Sequence, residues 1–167
     1  MRKTTALLFF GIFAALLISS CSKGPDESFC GNYSFKMGGY VNVKSDFSDK
    51  TSVRYVATRA GRMQILPSSG NDVKVTLNAI TGNPVVFDGY VDGGILVLRP
   101  QDMIVRLYKD LLLLDIPEEA LLTVSGTGSM TDGTLLIDFD LQGFCPSDIF
   151  YGEIVSSNVD CIAVKNE

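Results

Sequence analysis

Leu135-Leu136-Ile137-Asp138-Phe139-Asp140-Leu141-Gln142 is the stretch that decides the fold class of this chain. Leu135, Ile137, Phe139 and Leu141 stand at every second position, against Asp138, Asp140 and Gln142. A period of two sends alternate side chains to opposite faces of an extended chain, whereas a helix repeats its apolar residues every three or four. The segment therefore reads as a half-buried β-strand. Val73, Val75, Leu77 and Ala79 alternate in the same way with Lys74, Thr76 and Asn78, and Tyr33, Phe35 and Met37 face away from Asn32, Ser34 and Lys36. Further strands are expected over residues 40–44, 52–60, 62–66, 85–91, 95–99, 103–108, 120–128, 150–156 and 161–164. Turn signals fall between them at Gly38-Gly39, Ser69-Gly70-Asn71-Asp72, Gly82-Asn83-Pro84, Asp92-Gly93-Gly94 and Asp132-Gly133.

Many short strands joined by hairpin turns predict an all-β domain, an antiparallel up-and-down β-barrel with a β-sandwich as the alternative. Closure into a barrel is favoured because it leaves no long exposed edge. The one helical expectation is a turn or two near 110–120. The run 111–114 suits either a buried strand or a helix start, and Pro117-Glu118-Glu119 suits a first helical turn.

Composition narrows the function classes. Without residues 1–20 the chain has 147 residues, with 12 Lys+Arg against 19 Asp+Glu and a formal charge of −7. That length suits one domain with its own core. An acidic, His-free chain is a poor partner for nucleic acid, whose phosphates need clustered Lys and Arg. It is equally poorly suited to docking electrostatically on anionic lipid. Nothing in the pattern asks for an oligomer, so a monomer is the expectation.

The amino terminus carries an address. Arg2 and Lys3 precede an unbroken apolar and small-residue run over 6–18, shorter than the roughly 20 residues a membrane-spanning helix needs. It has the size and flanks of a secretory leader. An uncleaved anchor helix and a plain secretory signal are the alternatives. Ile18-Ser19-Ser20-Cys21 resembles the lipobox of bacterial lipoproteins. That resemblance implies cleavage between Ser20 and Cys21, lipidation of the Cys21 sulfur and acylation of the new amino terminus. Residues 1–20 are then the signal peptide, 21–28 a flexible tether and 29–167 the domain. The protein would be exported and held by lipid at the outer membrane of a Gram-negative cell. Asp26 and Glu27, soon after Cys21, are similar to the export signals of some surface lipoproteins, and an ordinary solvated linker explains them as well.

A second resemblance concerns the domain. Gly31-Asn32-Tyr33, at the opening of the first strand, looks like the Gly-x-Tyr or Gly-x-Trp start of lipocalins and other calycins. Val124-Ser125-Gly126-Thr127-Gly128-Ser129, Asp132-Gly133-Thr134-Leu135 and the strand 95–101, ending in Pro100-Gln101, are similar to calycin-like bacterial lipoproteins. The chain has no Trp, which lipocalins usually carry. The likeness spans most of 29–160 and implies a barrel that binds a small, largely apolar ligand, with strand-end loops controlling access. The alternative is a surface module that binds a glycan or protein through its loops or outer face. An enzyme ranks third.

Catalytic and metal chemistry has little to stand on. With no His, Ser-His-Asp and Cys-His relays and His-ligated zinc are excluded. Gly126-Thr127-Gly128 lacks the third glycine of a dinucleotide loop and reads as a bend in a strand. Asp72, Asp88 and Asp92 match no calcium loop. Asp138 and Asp140 share one strand face, which their neighbours mark as the water side. No cofactor or metal is expected, and the ligand-binding residues stay open. Among Cys30, Cys145 and Cys161 one disulfide is possible in an exported protein, with buried reduced thiols as the alternative. Arg54, Arg59 and Arg62 read as solvated, with strict alternation putting Arg59 opposite the other two. Scattered aromatics, Tyr33, Phe35, Tyr55, Phe87, Tyr90, Tyr108, Phe139, Phe150 and Tyr151, either fill the interior or line a cavity.

Overall fold

A computed structural model describes residues 28–109, 116–145 and 152–166. Eight antiparallel strands close an up-and-down barrel in sequence order. They are β1 (Gly31–Ser45), β2 (Thr51–Pro67), β3 (Asp72–Ala79), β4 (Val85–Asp92), β5 (Ile95–Tyr108), β6 (Glu118–Thr131), β7 (Thr134–Cys145) and β8 (Gly152–Lys165). The opening stretch lies in β7. Its Leu135, Ile137, Phe139 and Leu141 are buried inside the barrel, while Asp138 and Asp140 face water. The barrel is the architecture that the calycin resemblance implies, and the sandwich alternative falls away.

The strands are fewer and longer than the sequence pattern suggests. Segments predicted separately over 33–37 and 40–44 are both parts of β1, and those over 52–60 and 62–66 are parts of β2. The same merging produces β5 and β8. Bulges, not turns, interrupt the alternation. On β2, Met37 faces Arg59 and Gly39 faces Val56, so Ala57 and Thr58 together oppose Gly38. On β5, Leu98 faces Gly126 and Gln101 faces Val124, leaving Arg99 and Pro100 opposite Ser125. Proline has no N–H for a ladder, so a bulge suits it. Each extra residue shifts the inward set by one position and sharpens the local twist.

Gly38-Gly39, expected as a turn, lies in mid-strand. Gly39 has φ +148, and a Cβ there would press on the Asn158 carbonyl oxygen and sit 2.7 Å from Val159 Cα. The two strands approach so closely that only glycine fits. The helical turn expected at Pro117-Glu118-Glu119 is also corrected, because Glu118 begins β6. Its acids serve cross-strand cations rather than a helix dipole, Glu119 meeting Arg106 at 2.9 Å and Glu118 meeting Arg54 at 3.3 Å. The run 111–114 lies outside the described residues, as do Phe150 and Tyr151.

Strand lengths then shape the barrel. β3 and β4 have eight residues each, against seventeen in β2 and fourteen in β5. Their hairpin covers only one half of the wall. Beyond it β2 pairs directly with β5, through Tyr55–Tyr108 and Val56–Leu107. The barrel thus narrows from eight strands to six along its axis.

Candidate functional site

Among the described residues, buried side chains fill both ends of the barrel. At the wide end Phe29 is buried, and Tyr33 Oη donates to the Phe29 carbonyl at 2.6 Å. This is the Gly31-Asn32-Tyr33 motif at work: Tyr33 points inward and ties the incoming chain across the mouth. Lys165 closes the same end, donating from Nζ to the Ser28 carbonyl at 2.8 Å and lying 6.0 Å from the Tyr33 ring centre. Burial pushes the Tyr33 hydroxyl up to about 12.

At the narrow end stands a polar cluster that sequence reasoning missed. Arg54, expected to be solvated, is buried. Its Nε donates to Glu118 Oε2 at 3.3 Å, and its Nη1 donates to Ser52 Oγ at 3.0 Å and the Val53 carbonyl at 3.1 Å. Lys109 Nζ meets the other Glu118 oxygen at 3.4 Å, and the Cys145 thiol donates to Oε2 at 3.1 Å. Chemically this is a satisfied structural pair. Burial first, and then the hydrogen bond to Glu118, pushes the Cys145 thiol up to about 12, which makes it a poor nucleophile.

The cysteines do not meet. Cys30, Cys145 and Cys161 form no disulfide with one another. Cys161 lies beside Ile137 in mid-barrel. Cys145 is eight residues further along β7, about 26 Å at the rise of an extended strand. Cys30 precedes β1 at the other end of the barrel. A disulfide needs Cα atoms within about 7 Å, so no two of the three are placed to pair in this fold, and only Cys145 and Cys161 are buried. Burial pushes the Cys161 thiol up to about 12, helped by the charge of Asp160.

Between the filled ends the wall is breached. β4 pairs with β5 only from Gly89–Leu98 to Asp92–Ile95, and β2 pairs with β3 only from Gly61 onward. The β2 bulge, the turn 80–84 and β5 beyond its own bulge frame a gap in the side of the barrel. It leads to a cleft of about 100 Å³ whose walls include Phe35, Met37, Phe87, Met103, Leu141 and Val159. Phe87 and Phe139, both in its lining, meet in a tilted pair with ring centres 5.7 Å apart. Two methionines make such a surface adaptable, since the thioether chain is unbranched and polarizable.

Arg59, Asn83 and Arg106 ring the mouth. The β2 bulge explains Arg59. It reverses the alternation, so Arg54 and Arg59 share the inward face and Arg62 stands alone outside, contrary to the strict parity expected. Arg106 is held by Glu119 at 2.9 Å. Arg59 is half-buried against Gly82 of the turn, and among the described residues it makes no ion pair.

Other candidate residues are placed as follows. Gly126 and Gly128 face inward in mid-β6, where they make room for Leu98, Phe139 and Ile137. Asp72 pairs with Arg99 at 2.8 Å and Asp88 with Lys74 at 3.5 Å, while Asp92 ends β4. Among the described residues no three His, Cys, Asp or Glu side chains gather as a metal site. Ser20 and Cys21 lie outside the described residues. No family model, curated protein or solved structure matches this chain at a significant level.

Proposed function

We propose that the protein is a lipid-anchored, exported binding protein that acts by holding a small apolar ligand, or the apolar part of one, in the side cleft of its barrel. The observation that carries this reading is the combination of filled ends with an open, apolar, methionine-lined breach in the wall. Access would run through the gap between β2 and β5 rather than through loops at the strand ends. The cleft is smaller than the roughly 300–1,000 Å³ that encloses a drug-sized molecule. It is nearer the engineered apolar cavity of about 150 Å³ that admits benzene. The occupant is thus an alkyl or aromatic end group. The lipobox supports anchoring through Cys21, because several acyl chains each add about 0.8 kcal/mol per buried methylene.

Mass spectrometry of protein purified from its native host tests both halves. The expected result is a co-purified apolar molecule together with a diacylglyceryl-modified, acylated Cys21 at the amino terminus. An unmodified Cys21 thiol refutes the anchor, and a cleft that takes up no apolar probe refutes the binding reading.

A second reading, a surface that docks a protein or glycan, is favoured by Ile104 and Leu121. They face each other across β5 and β6 on the outer face, 64% and 67% exposed. Leu121 lies outside the cleft lining, so Leu121→Ser leaves ligand uptake intact and weakens partner capture if this surface is the working one.

A further inference from the structure

We infer that the ligand is a single-chain amphiphile with an anionic head, its apolar end inserted sideways through the barrel wall and its head group meeting Arg59. The inference rests on the proposed binding role of the cleft and goes on to name the class of molecule it selects. Three observations carry it. First, the cleft holds about 100 Å³, enough for an end group only, so the remainder of any longer ligand must lie in the mouth. The molecule therefore needs an apolar end and a part that tolerates water.

Second, the mouth keeps one uncompensated cation on an otherwise acidic domain. Arg59 and Arg106 both line it; Arg106 is paired with Glu119 at 2.9 Å, whereas Arg59 makes no ion pair among the described residues. Third, Arg59 is turned to the inward face by the β2 bulge and half-buried against Gly82 without an ion pair among the described residues. Arg54, on the same face of the same strand, is by contrast fully used by Glu118, Ser52 and the Val53 carbonyl. A half-buried guanidinium offers planar paired donors that fit a carboxylate or phosphate.

The probes are octanoate and 1-octanol, which share a chain and differ in head-group charge, titrated calorimetrically into wild type and Arg59→Gln. Wild type should bind octanoate about tenfold more tightly than octanol, the scale of one charge-assisted contact at a half-buried site. Arg59→Gln should bring the octanoate-to-octanol affinity ratio from about ten down to about one. Methyl-labelled methionine NMR on the wild type locates the site independently: both probes should shift the Met37 and Met103 signals. Equal affinity for the two probes, or an Arg59→Gln variant that still prefers octanoate, overturns the anionic selectivity. The cleft reading survives that result if the methionine signals still move. If neither probe moves Met37 or Met103, the cleft reading fails and the head-group inference fails with it.

Discussion

Glu118 and Arg54 allow the sharpest test of how the narrow end is held. Their side chains are 12% and 8% exposed and meet at 3.3 Å, with Ser52, Val53 and Cys145 also bonded to the pair. Replacing one partner of a buried pair leaves the other charge without compensation, at a cost of about 3–5 kcal/mol. Residual exposure here argues for the lower end, about 3 kcal/mol for Glu118→Leu or Arg54→Met alone. Lys109 is 46% exposed and can turn to water, so it adds little. In a domain of this size about 3 kcal/mol lowers Tm by roughly 6–12 °C. The double variant removes both charges and their desolvation together, so it should lie within about 1 kcal/mol of wild type. Urea unfolding of the four proteins, with a common m value, reads the coupling directly. A single substitution costing under about 1 kcal/mol, or a double variant whose cost is the sum of the singles, refutes the account.

Three further outcomes follow from the same geometry. Cys145 and Cys161 are pushed from 9.0 up to about 12, and Tyr33 from 10.0 up to about 12. The unfolded chain releases these protons first, so stability is fully present below pH 9 and falls as pH rises from 9 to 12, by up to about 1.4 kcal/mol per unit for each group. Urea midpoints between pH 8 and 11 should show the decline, Cys161→Ala should make it shallower with Cys145 and Tyr33 still contributing, and a pH-independent midpoint contradicts the assignment. Gly39→Ala should cost about 3 kcal/mol or more, because φ +148 and the Asn158 carbonyl both exclude a Cβ, whereas Gly93→Ala, facing open space, should cost about 1 kcal/mol. Thermal melts of the two variants make the comparison, and equal losses would show that β1 and β8 can move apart. Tyr33→Phe removes the donor to the Phe29 carbonyl and should cost about 1–3 kcal/mol in urea unfolding, with faster amide exchange around residue 29.

Alternation was the legible part of this chain. Leu135 to Leu141 and Val73 to Ala79 are inward and outward as their period dictates, because neither stretch contains a bulge. Four of the five turn signals join consecutive strands. Gly38-Gly39 misled because a glycine demanded by close strand approach has the same spelling as one demanded by a turn. Arg59 misled for a related reason: parity was counted across Ala57-Thr58, where an extra residue resets it. No local signal distinguishes a bulged pair from an ordinary one.

The chain by itself determined an all-β domain of alternating strands and four of its hairpin turns, since alternation and turn chemistry are written in neighbouring residues. Only the tertiary structure decided where the barrel opens. That depends on β3 and β4 being too short to cover β2 and β5, and on which distant residues then face the gap. Strand length relative to a partner far along the chain, and parity across a bulge, are properties of pairing. They exist only once the strands have met, and with them come the breach, the buried Arg54–Glu118 pair and the placement of Arg59 at the mouth.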